Sequence, residues 1–101
     1  MTTGLRYLDF DYSEDTEGHG TFDAMASTAP EKTREVLAEV AEVLAWANAT
    51  FPDAQGALED GAAWDFDLQQ TRETPDLDTV TFSLSGTADF CAVLREQFKL
   101  D

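Results

Sequence analysis

The chain has 101 residues, and its 21 Asp+Glu against 6 Lys+Arg give a formal charge of −15 at pH 7. A field of that sign repels phosphate backbones and anionic membrane surfaces, so direct binding to nucleic acid or membrane is disfavoured and a basic partner is favoured. Apolar residues make up 43%, which suits one modest core in a single domain spanning 1–101 and argues against disorder throughout.

Residues 5–13, LRYLDFDYS, alternate with period two, which predicts a half-buried strand. Leu8, Phe10 and Tyr12 share one face; Tyr7, Asp9 and Asp11 share the other. The polar stretch EDTEGHG at 14–20 reads as a turn. TFDAMAS at 21–27 alternates again, with Phe22, Ala24 and Ala26 opposed to Asp23 and Met25. Two short strands joined by a brief link predict an antiparallel hairpin.

A helix is expected next. Thr28 and Glu31 have capping-box spacing and Pro30 fits the first turn. Val36, Leu37, Val40, Val43, Leu44, Ala47 and Phe51 fall on one stripe at the helical period, and Pro52 ends it. After a loop at 52–61, AAWDFDLQQ (62–70) predicts a strand with Trp64, Phe66 and Leu68 on one face and Asp65 and Asp67 on the other. TRETPDLD (71–78) reads as a connection and TVTFSLS (79–85) as a strand with Val80, Phe82 and Leu84 inward. Thr87 can cap a final helix whose stripe is Phe90, Cys91, Leu94 and Phe98.

The order is therefore ββαββα, and the phrase D-F-D recurs in the first strand of each half, 5–51 and 62–99. One apolar face per strand and one stripe per helix predict an α+β two-layer sandwich: a four-stranded antiparallel sheet with both helices on one face. The other face then carries Asp9, Asp11, Asp23, Asp65 and Asp67, with Tyr7 and Met25 as apolar contacts. Aspartate is depleted in strands, and like charges on neighbouring strands destabilise the pair. The simple explanation of that face is solubility; the sharper one is a docking surface for something cationic.

A second acidic stripe runs along the first helix. Glu31, Glu35, Glu39 and Glu42 fall on nearly one side, and Trp46 lies in the same sector, either as an exposed anchor or folded over the sheet edge to complete the core. Ala38, Ala41 and Ala45 form a small-residue flank where helices, or two copies in a homodimer, could meet closely.

Catalytic signals are sparse. Glu14, Asp15, Glu17 and His19 crowd the first hairpin loop as weak metal candidates, but they match no calcium-loop spacing, and a solvated turn is the simpler reading. One histidine and one cysteine exclude an ordinary structural zinc site, and a lone Cys91 forms no intramolecular disulfide. No phosphate loop, dinucleotide fingerprint or nucleophile elbow is present, and no cofactor is expected. No apolar run approaches the ~20 residues of a membrane helix, and the N-terminus lacks the basic-then-apolar pattern of a signal peptide, so a cytoplasmic protein is expected. The expected function is a non-catalytic acidic interaction module for a basic protein surface, inhibitor- or immunity-like. The alternative is a carboxylate-rich metal-binding protein or metal-assisted hydrolase.

Overall fold

Alternating strands and striped helices bury their apolar atoms only against one another, and that is how the chain folds. A computed structural model describes residues 5–98, so the last residue of the second half, 99, lies outside the described residues. The elements are β1 (Phe10–Glu14), β2 (Gly20–Thr28), α1 (Pro30–Thr50), one 3-10 turn (Leu58–Asp60), β3 (Trp64–Thr74), β4 (Leu77–Gly86) and α2 (Ala88–Phe98). The sheet has four strands in the order β1-β2-β4-β3, every neighbouring pair antiparallel. This is the expected α+β sandwich in ββαββα order.

The two hairpins join along β2 and β4, which leaves β1 and β3 as opposite edges. Phe10 pairs with Ala24, and Phe66 with Leu84. Phe10 meets Phe22 edge-on at 6.2 Å, and Phe66 meets Phe82 edge-on at 6.4 Å. The two D-F-D phrases therefore send their rings to matching sites on the two flanks of the core.

Phe22, Ala24 and Ala26 on β2 and Val80, Phe82 and Leu84 on β4 are buried at every second position. Val36, Val40, Val43 and Ala47 cover them from α1; Phe90, Cys91, Leu94 and Phe98 cover them from α2. Burying each Phe- or Leu-sized side chain is worth about 1.5–3 kcal/mol. Trp64 is fully buried and stacks on Phe90 with ring centroids 5.6 Å apart. Gly20 and Gly86 face each other across β2 and β4. A Cβ at Gly86 would lie 2.3 Å from the Phe90 ring, and one at Gly20 would lie 2.8 Å from Cys91 Sγ. Bare backbone at that end of the sheet is what lets α2 pack so closely.

Three of the boundary differences from the sequence expectation have a visible physical cause. The first strand starts at Phe10, because the amides of residues 6–8 bond to α1 and not to β2. Ala29, without a side-chain cap, precedes α1, because Thr28 is the last residue of β2, opposite Asp78. The stretch 71–78 is no open connection: β3 runs to Thr74 and β4 starts at Leu77, leaving a tight turn at Pro75–Asp76 where Asp76 N–H donates to Thr74 Oγ1 at 3.2 Å. Thr87 does cap α2, accepting from Phe90 N–H at 3.3 Å.

Candidate functional site

The sheet face away from the helices is built from the odd-numbered positions of its strands. Asp11 lies opposite Asp23, Asp23 opposite Ser83, and Ser83 opposite Asp67. One row across the whole sheet thus reads Asp11–Asp23–Ser83–Asp67. Ser83 Oγ donates to Asp23 Oδ1, so the hydroxyl spaces the row and solvates one of its carboxylates. Asp65 lies in the next row beside Ser85, where it accepts from Gln55 Nε2 at 3.1 Å and from Phe66 N–H at 2.9 Å. Asp9, just before β1, lines a shallow hollow of ≈ 360 Å³ with Asp11, Asp23, Met25 and Thr81. Met25, 64% exposed, is the most exposed large apolar side chain among the described residues. The five aspartates named from the sequence share this surface. A larger hollow of ≈ 520 Å³ lies in the loop after α1, with Asp53 and Asp60 among alanines, glycines and Gln55.

Tyr7 and two of the helix glutamates are placed differently from the expectation. Tyr7 does not join the outer face; it turns to α1, where its hydroxyl donates to Glu35 Oε1 at 2.8 Å. That bond raises the Tyr7 pKa and, with Lys32 Nζ 3.7 Å from Glu35, holds the Glu35 carboxyl below its usual range. Glu39 accepts from three successive amides, Arg6 at 2.8 Å, Tyr7 at 3.0 Å and Leu8 at 3.1 Å. A carboxylate spent on three amides is an internal clamp, not a free docking group. Glu42 remains exposed. Trp46 packs at 5.6 Å on Phe98 and 6.0 Å on Phe90, closing the seam between the helices. Alternation in 5–13 gave no sign of this detour, because a strand and a strap held by a remote carboxylate can share one pattern.

In the first hairpin loop, Asp15 Oδ1 accepts from the amides of Glu17 at 2.8 Å and His19 at 2.9 Å, and these bonds lower its pKa. Ligand atoms of Asp15, Glu17 and His19 lie within 4.8 Å of one another, with Glu14 outside the group. The internal bonds account for the crowding as turn structure. Cys91 is buried, and burial raises its thiol pKa, which opposes a nucleophilic thiolate.

The reading of the sequence missed Asp78, 2% exposed at the core margin. Arg72 bonds it through Nε and a second guanidinium nitrogen, and Thr33 Oγ1 donates to it at 2.8 Å. Arg72, then Thr33, hold its carboxyl below the usual range against the opposing pull of burial. The signal was available: Asp78 is in period-two phase with Val80, Phe82 and Leu84.

Comparison with protein-family models, with curated proteins and with solved structures finds no match to this chain. Among the described residues, no helix is long and apolar enough to cross a membrane.

Proposed function

We propose that the outer sheet face docks a basic surface of another protein, as an acidic interaction module of the inhibitor or immunity type. The observation that carries this reading is the row Asp11–Asp23–Ser83–Asp67, with exposed Met25 beside it. A rigid sheet holds these carboxylates in fixed register, so a cationic partner meets a preorganised pattern and loses less freedom on binding. Long-range attraction from a chain of charge −15 speeds its arrival.

The test starts with partners captured from the native host at low ionic strength. Two variants are then compared against a captured partner: Asp11→Asn/Asp23→Asn/Asp67→Asn on the face, and Glu31→Gln/Glu59→Gln/Asp89→Asn, exposed positions elsewhere. Both lose the same charge. Affinity should fall with rising salt and fall much further in the face variant. Equal losses would reduce the interaction to net charge and remove the case for a docking face.

A further inference from the structure

We infer that the free edge of β3 accepts an extended basic segment of the partner as a fifth strand, lysine or arginine alternating with apolar residues. The inference rests on the acidic face being the docking surface, and adds to it a second, independent feature: an open strand edge.

β3 is an edge of the sheet and spans 11 residues, against 5 in β1. Only its start is covered. Gly56 N–H donates to Trp64 C=O at 3.0 Å, and Trp64 N–H to Ala54 C=O at 3.4 Å, both on the side away from β4. Hydrogen-bonding direction alternates along an antiparallel strand, so the groups of Phe66, Leu68 and Gln70 also point away from β4. The Phe66 amide is held by its neighbour Asp65. Among the described residues, no strand or loop pairs with that edge beyond Trp64. The register with β4 is unbroken to Arg72 and irregular only between Arg72 and Thr74.

Exposed edges are usually blunted by lysine, proline, a bulge or a covering element. From Phe66 to Gln70 this edge has neither lysine nor proline. Its guards are Asp65 and Asp67, which select by charge. An incoming strand would set every second side chain over these carboxylates, where lysine or arginine fits. Its other side chains would lie over Phe66, half-buried, and Leu68, 38% exposed. A second copy of this chain fits the backbone but brings its own −15 charge and sets aspartates against the same surface. Negative guarding of an open edge thus favours a cationic strand over self-association.

The probe is the capped peptide acetyl-Lys-Val-Lys-Val-Lys-Val-amide, followed by amide chemical shifts of the native protein at low salt. Shifts and slowed exchange should centre on Leu68 and Gln70. The Glu-Val analogue should not bind, and the Lys-Val peptide N-methylated at alternate backbone nitrogens should bind at least about tenfold more weakly, the loss of two or so hydrogen bonds. Gln70→Pro removes only an outward N–H, a substitution edge strands tolerate, and should abolish binding with little change in thermal midpoint. Absence of peptide binding, or equal binding of the N-methylated peptide, overturns the inference even should Gln70→Pro fail to fold. If Gln70→Pro and N-methylation leave binding intact while Asp11→Asn/Asp23→Asn/Asp67→Asn removes it, the face docks its partner without strand addition. If that triple variant binds the peptide as native protein does, the face reading itself fails. A dimer seen by light scattering and abolished by Gln70→Pro would assign the edge to a second copy and overturn the basic-strand inference.

Discussion

Asp78 shows how one side chain can join three elements. Its carboxylate lies at the start of β4, its guanidinium partner is on β3, and its hydroxyl partner is on α1. Burial alone would favour the neutral acid, but donors to the charged form outweigh it. The folded pKa therefore lies below the unfolded one. The resulting stabilisation is present above the ordinary aspartate value of about 3.9 and is lost as pH falls through the lower folded value. Thr33→Val keeps the shape and removes one donor to a charged acceptor; it should cost about 1.5–3 kcal/mol in urea denaturation at neutral pH. The difference from native protein should shrink as the pH is taken below the folded pKa of Asp78. A constant difference across that range would mean that the Thr33 contribution is packing, not hydrogen bonding to a carboxylate.

At the scale of elements, the strap of residues 5–9 depends on helix residues 28 to 33 positions downstream in the chain, Glu35 and Glu39. Glu39→Ala should free the strap without unfolding the sheet: amide exchange at Tyr7 and Leu8 should rise by about tenfold or more while β2 and β4 stay protected, the pattern of local opening. Equal acceleration in β4 would make the clamp part of the global fold. The same contrast explains what the residues revealed in advance. Strands, helices and their inward faces were legible, because burial imposes period two on 21–27 and 79–85 and a helical stripe on 36–51. The shared acidic face was legible for the same reason. Tyr7, Glu35 and Glu39 were not, since a carboxylate bonded to distant amides leaves no periodic mark, whereas Asp78 is in phase with Val80 but falls at the end of TRETPDLD, which reads as a connection.

For the molecule as a whole, the charge that would attract a partner also strains the fold. Asp11 and Asp23 stand directly opposite on adjacent strands, and Asp67 closes the row beyond Ser83. Direct cross-strand like charges destabilise, and the overall excess of anions adds a diffuse repulsion. Asp11 and Asp67 are the informative positions, because Asp23 takes a short hydrogen bond from Ser83 and Asp65 takes two from its neighbours, whereas Asp67 takes a single long one, from Gln69 Nε2 at 3.4 Å. Asp11→Asn/Asp67→Asn should therefore raise the denaturation midpoint at ~10 mM salt, and the gain should shrink by ~0.5 M, where the Debye length falls to a few ångströms. A solubilising surface has no need of carboxylates in direct cross-strand register, since the same charge on loops and helix faces would keep the chain soluble without straining the sheet. A docking surface does need them at fixed spacing. The two roles therefore separate in one pair of measurements on one variant: stability up and partner affinity down supports docking, whereas stability up with affinity unchanged leaves the row with only its solvating role. A loss of stability would show that the aspartates are held by something stronger than their mutual repulsion, and the electrostatic account of the face would fall with it.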